Sequence, residues 1–241
     1  MKSFLMMNVL FGALPCVLLN LLQDMNSGND YDDDDETSVP PSPPNIPPEN
    51  PSRDLCKDPL TFDAVTSLRG EKFFFKHSLY LRKSPFRKEI KNVPISTFWP
   101  TLESGMDAAY EVENLVYFIK GENYWAFYAN IEEPGYPKSI HSLGFPEYVK
   151  KIDAAVYEEN SRKIYFFSGN KYWTYDEAAN VMEQGPKLIE TDFPGIGTQL
   201  DAAFEHAGKL YFFSGPENVE FDIKHKRVTK KMKNNVWFGC V

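Results

Sequence analysis

Four histidines, His77, His141, His206 and His225, are the side chains from which this 241-residue sequence would build a metal or acid–base centre. No two of them stand four apart, the spacing that puts two imidazoles on one helical face, and no H-E-x-x-H segment occurs. A zinc-hydrolase helix is not encoded, so no zinc and no catalytic residue is expected. Of the three cysteines, Cys16 lies inside an apolar leader, which leaves Cys56 and Cys240 as one possible disulfide. Closing so long a loop removes roughly 5 kcal/mol of unfolded-chain entropy in a simple polymer model, and it suits an oxidising compartment. The group that recurs is an aspartate: Asp63-Ala64, Asp107-Ala108, Asp153-Ala154 and Asp201-Ala202 follow one another at 44, 46 and 48 residues.

Four units of that length point to a propeller. Pro100, Pro146 and Pro194 keep the same phase, each seven residues before an Asp-Ala pair and each just after Phe98-Trp99, Phe145 or Phe193. Twelve residues beyond Asp63, Asp107 and Asp201 come Phe75, Ile119 and Phe213; Phe167 is fourteen beyond Asp153, so a hairpin around Glu159-Asn160-Ser161 has gained two residues. The alternation within each unit is that of an antiparallel meander, with Gly121, Gly169 and Gly215 at its second turn, where a positive φ costs glycine nothing. One such small sheet cannot bury both faces, so the units must pack around an axis. The expectation is an all-β, four-bladed β-propeller over 56–241, with blades roughly at 60–102, 103–148, 149–196 and 197–240. The proline-containing segments are expected to form short helices or turns on its rim.

Residues 1–24 read as a signal peptide, an apolar run after Lys2, with a membrane anchor as the alternative. Residues 25–55 are acidic and then proline-rich, the composition of a disordered linker. Up to position 55 the chain carries two basic residues against nine acids, so most of the net charge of -8 belongs to this part. The body is close to neutral, which argues against nucleic acid as a partner.

The segments DPLTFDAVTSLRGE, FWPTLESGMDAAYE, YFFSGNKYWTYDE and the terminal NNVWFGC resemble the hemopexin-like domain of secreted matrix metalloproteinases, in the collagenase, stromelysin and enamelysin group. The similarity spans residues 56–240, and the proline-rich stretch before Cys56 resembles that family's hinge. The proteolytic domain expected upstream of such a hinge is missing. The resemblance therefore implies a secreted, non-catalytic module of the extracellular matrix. The alternative is the C-terminal fragment of a zinc-dependent matrix metalloendopeptidase. A haem or small-ligand carrier is less favoured, because haem would want histidines converging on one pocket.

Where four inner strands converge, carbonyl oxygens lack ladder partners, and a hard cation such as calcium satisfies several at once. The resemblance implies calcium on the backbone carbonyls of Asp63, Asp107, Asp153 and Asp201, with Val65, Ala109, Ala155 and Ala203 framing a second ion, chloride or sodium. The competing reading is that these aspartates cap strand starts by hydrogen bonding. Among Trp99, Trp125, Trp173 and Trp237, most are expected in blade cores, and Trp99 is the candidate for exposure. By resemblance to collagenolytic members, Leu68, Arg69, Phe98 and Trp99 would contribute to a collagen-contacting surface. Two basic stretches, Arg82, Lys83, Arg87, Lys88 and Lys91, then Lys224, Lys226, Arg227, Lys230, Lys231 and Lys233, suit sulphated glycosaminoglycan or tissue inhibitors of metalloproteinases. The same lysines would also protect outer strands from edge-to-edge pairing.

Overall fold

Consecutive apolar residues in each repeat give strands that present apolar side chains to both sides of a sheet, and the chain folds accordingly into four antiparallel sheets. The computed structural model describes residues 55–86, 90–102 and 105–240. The leader, nearly all of the linker, Cys16, Arg87 and Lys88 lie outside the described residues.

Blade 1 runs from its innermost strand Ala64–Leu68 through Glu71–Lys76 and Leu79–Lys83 to the outer strand Lys91–Pro94. Blade 2 follows with Ala108–Val112, Leu115–Lys120 and Asn123–Tyr128, and blade 3 with Ala154–Glu158, Lys163–Ser168 and Lys171–Asp176. In these two blades the outer edge is split into a pair of two-residue strands, both bonded to the third strand. Blade 4 comprises Ala202–His206, Lys209–Ser214, Glu217–Asp222 and Arg227–Lys233.

The register is the same in every blade, with Ala64 opposite Phe75, Ala108 opposite Ile119, Ala154 opposite Phe167 and Ala202 opposite Phe213. The first hairpin holds two residues in blades 1, 2 and 4. In blade 3, Glu158 pairs with Lys163 and four residues intervene, which absorbs the two extra positions without disturbing the inner strand. Arg69-Gly70 and Ala207-Gly208 are both left-handed pairs, the twist that a two-residue hairpin needs.

Each innermost strand contacts both neighbouring innermost strands, so the ring is closed. Four apolar clusters fill the seams between blades, and each contains an aromatic residue at or just after the end of a short helical segment: Trp99, Phe145, Phe193 and Phe238. This corrects the expectation that Trp99 is exposed. It is fully buried, packs within 6 Å of the rings of Phe73, Phe75, Tyr80 and Phe118, and donates its Nε1–H to Ala129 O at 2.9 Å. As the repeat equivalent of Phe145 and Phe193, it plugs the seam between blades 1 and 2. Trp173 is buried, and Trp125 at the equivalent position of blade 2 is half-buried.

Cys56 and Cys240 form a disulfide with Cα atoms 5.4 Å apart, at a sequence separation of 184. Asn235 Nδ2 donates to Leu55 O and to Asp58 O, and Asn234 Nδ2 to Leu60 O, so hydrogen bonds join the ends beside the covalent link.

Two outcomes are expected of denaturation measurements. Trp99→Ala should cost about 3–5 kcal/mol in urea unfolding, the range for emptying a large aromatic site. Cys240→Ser should lower stability by up to about 5 kcal/mol, the loop-closure value.

Candidate functional site

Asp63, Asp107, Asp153 and Asp201 stand just before the four innermost strands. Their N–H groups donate to Phe75 O, Ile119 O, Phe167 O and Phe213 O at 2.8–2.9 Å. Their carboxylates reach the second turn of the same blade, accepting from His77 N at 2.6 Å, Gly121 N at 2.7 Å, Gly169 N at 2.8 Å and Gly215 N at 2.6 Å. Each of these four donors has a φ of 53–58°, so the aspartate pins a left-handed turn, and three of the four positions use glycine. The capping expected of these aspartates as a competing reading is thus a real role of their side chains. It leaves the main-chain oxygens free to act separately.

An innermost strand has a sheet neighbour on one side only, so its other row of N–H and C=O groups turns to the axis. Side chains do not fill that space: Val65, Ala109, Ala155 and Ala203 are buried and join the seam clusters, as do the alanines after each aspartate. Among the described residues, no group of three or more His, Cys, Asp or Glu side chains is arranged to hold a metal ion. The donor set this end offers a cation is therefore main-chain oxygen, which suits a hard ion.

Charge at this mouth is partly balanced. Lys76 Nζ lies 2.7 Å from Asp63 Oδ1, and Lys151 Nζ lies 3.4 Å from both Asp107 Oδ1 and Asp153 Oδ1. Burial alone would lower the Lys151 ammonium, but the two aspartates outweigh it and hold it above the usual lysine value. Sequence reasoning missed this lysine; its signal was a base two residues before Asp153.

At the far mouth the channel widens into a cavity of about 480 Å³. Four residues beyond the aspartates, the equivalent positions are Ser67, Glu111, Tyr157 and Glu205, so two of the four blades place a carboxylate there. Glu111 Oε1 accepts from Arg69 N at 2.8 Å and Glu205 Oε2 from Glu159 N at 3.0 Å, each tying its blade to the hairpin of the preceding one. Burial pushes both carboxyls above the ordinary glutamate value, against the hydrogen bonds that pull them down.

Of the residues expected at a partner surface, Leu68 is buried like Trp99. Arg69 is exposed, with its guanidinium 5.0 Å from the ring centroid of Tyr128, and Phe98 is half-buried against Trp99. Arg69, Phe98 and Arg82 share the lining of a depression of about 140 Å³. Tyr128 and Arg82 were not singled out for this surface, because neither position is marked by the repeat. The histidines do not converge: His141 meets Glu122 at 3.0 Å, His225 meets Asp222 at 3.1 Å, His77 sits in the blade 1 turn that Asp63 caps, and His206 lies at the far mouth. Of the basic stretches, Arg82 pairs with Glu71, Lys226 with Asp192 and Lys231 with Glu217, while the outer strand Arg227–Lys233 is largely exposed.

Comparison with known proteins adds to this geometry. The repeat profile described as Hemopexin matches residues 62–104, 106–147, 152–198 and 200–240. The chain is 50% identical over 190 residues to stromelysin-1 of Equus caballus, covering 77% of this chain and 40% of that one. It is 49% identical over 199 residues to interstitial collagenase of Equus caballus, covering 81% of this chain and 42% of that one. It thus spans well under half the length of these relatives, and the matched part is their hemopexin region, not their catalytic domain. Among solved structures, a hemopexin fold protein, CP4 from cow pea, superposes with a TM-score of 0.62 at 20% identity, over 74% of this chain and 95% of that one.

Glu111→Gln keeps an acceptor for Arg69 N and removes a carboxylate that burial disfavours. A group whose folded pKa is raised stabilises below its unfolded value and loses that contribution as pH rises through the folded value. The variant is therefore expected to melt higher than the wild type at pH 7. The two should converge near pH 4, in thermal scans across that range.

Proposed function

Because this chain belongs to the hemopexin family, we propose that it is a non-catalytic interaction module of the extracellular matrix, one that binds a partner instead of turning over a substrate. The observation that carries this reading is the confinement of a roughly half-identical match to the hemopexin region of matrix metalloproteinases, in a sequence without H-E-x-x-H. The disulfide between Cys56 and Cys240 is consistent with an extracellular location.

The partner is collagen or another matrix protein, engaged through the rim of blade 1. Arg69 and Phe98 supply the contact there, a cation and an aromatic face beside a shallow depression. Leu68 and Trp99 support that surface from beneath. Tissue inhibitors of metalloproteinases and sulphated glycosaminoglycan are further partners, the latter through the exposed lysines of the outer strand Arg227–Lys233.

A structural calcium sits at the aspartate mouth, on the carbonyl oxygens of Asp63, Asp107, Asp153 and Asp201. Val65, Ala109, Ala155 and Ala203 frame a second ion, chloride or sodium, deeper in the channel. What supports this reading is the free inner edge of each innermost strand and the engagement of every aspartate carboxylate elsewhere. A second reading is that the sequence is the C-terminal portion of a zinc-dependent endopeptidase, supported by the 40–42% of the relatives' length that it spans. The full transcript distinguishes the two.

The module reading is tested by surface plasmon resonance on a triple-helical collagen peptide. Binding without cleavage is expected, weakened about tenfold or more by Arg69→Ala with Phe98→Ala while the melting midpoint stays near the wild-type value. Gelatin cleavage by the purified chain would overturn it. Calcium removal by chelation should lower the melting midpoint, and calcium should restore it equally in Asp153→Asn, because the ligands are main-chain atoms. Loss of the calcium effect in that variant would transfer ligation to the side chain.

A further inference from the structure

The seam between blades 1 and 4 gathers positive charge in a way that neither packing nor strand pairing requires. Lys72 and Lys83 stand directly opposite each other across two strands of blade 1, an arrangement of like charges that destabilises a sheet. Both turn toward Trp237 of the last helical segment. Lys72 Nζ lies 5.8 Å from the Trp237 ring centroid, and Lys83 Nζ donates to Trp237 O. From blade 4, His206 brings its ring to 6.0 Å from the same indole, edge to face.

Three basic groups therefore converge on one tryptophan, and among the described residues no carboxylate is paired with any of them. The charges that bear on His206 are Lys72 and Lys83, both positive, and the charge that bears on Lys72 is Lys83. Burial together with this mutual repulsion holds Lys72 and His206 below their ordinary values, and burial does the same for Lys83. Trp237 Nε1 is buried with no acceptor among the described residues. Lys72 and His206 also line the far mouth of the channel, so the cluster is open to solute on that side.

We propose that Lys72, Lys83 and His206 form a cradle for a tetrahedral oxyanion of the sulfate-ester or phosphate type, placed where the last blade meets the first. Each ammonium carries three donors, and Lys83 spends only one of them on Trp237 O. A dianion between the lysines replaces repulsion by two charge-assisted contacts and bridges the seam at which the ring closes. The cradle is distinct from the collagen-facing rim of blade 1 and from the outer strand of blade 4. It does not depend on either reading.

The full chain is titrated with sodium sulfate against sodium chloride at matched ionic strength, with melting midpoint and tryptophan fluorescence as readouts. Sulfate should raise the midpoint of the wild type more than chloride does, with saturation. Lys72→Gln should weaken the apparent affinity roughly tenfold, the loss of one charge-assisted hydrogen bond, and Lys72→Arg should retain it. Lys171→Gln, at an exposed position on the third strand of blade 3, should change nothing. Lys72→Gln relieves a repulsion and so should itself melt no lower than the wild type without sulfate, which separates binding from folding even if Lys83→Gln unfolds.

Equal effects of sulfate and chloride, or an undiminished sulfate effect in Lys72→Gln, would overturn the site. A sulphated heparin disaccharide binding at least tenfold more tightly than inorganic sulfate would place the anion on a polysaccharide. Equal binding would place it among free anions, and both results support the cradle.

Discussion

A four-stranded sheet with apolar residues on both faces is satisfied only when it lies between two others, and that single constraint governs this molecule. Three seams join blades that are consecutive in sequence. The fourth must join residues from opposite ends of the repeat region, and it collects the devices that hold it: Phe62, Phe74, Phe213 and Phe238 in one aromatic cluster, the asparagine side chains of Asn234 and Asn235 on carbonyls near the start, and the disulfide. The loop closed there is the longest available, which is where a covalent link removes most unfolded-chain entropy.

Closure also dictates what the axis can offer. Four inner strands crowd together only if the side chains beside the axis are small, hence Ala64, Ala108, Ala154 and Ala202, with Val65 and three further alanines one position on. Strand edges, not side chains, then face the channel, and its chemistry is that of main-chain groups along its length. Side-chain character returns at the two mouths. One is ringed by aspartates with Lys76 and Lys151 among them; the other mixes Glu111 and Glu205 with the basic cluster around Trp237. The two ends of one channel are thereby unlike in the ions they can attract.

Much of the fold was legible because a repeat reports the same physical demand four times. Asp63 taken alone is an acid before a strand; with Asp107, Asp153 and Asp201 it marks the start of four equivalent inner strands. The spacing of Phe167 from Asp153 even located the enlarged hairpin of blade 3. The same logic, applied to Phe145 and Phe193, would have buried Trp99. The pairing with exposed-looking Phe98 misled because adjacent residues at the end of a short helix point in different directions. Tyr128 under Arg69 and the cluster at Trp237 were invisible, since each joins residues of different repeats at positions that the repeat leaves variable, and Lys151 left only the trace of a base two residues before Asp153.

The sequence by itself determined the number of blades and left Cys56 and Cys240 as the one possible pair outside the leader, because these follow from periodicity and from counting, while the likeness to the hemopexin family was carried by segments such as FWPTLESGMDAAYE and YFFSGNKYWTYDE. Only the tertiary structure decided which aromatic residues plug seams, which carboxylates serve turns, and which charges meet across them. Periodicity specifies how a blade is built, whereas the neighbours a side chain meets depend on how blades are set around the axis, and distances between blades are not written along the chain.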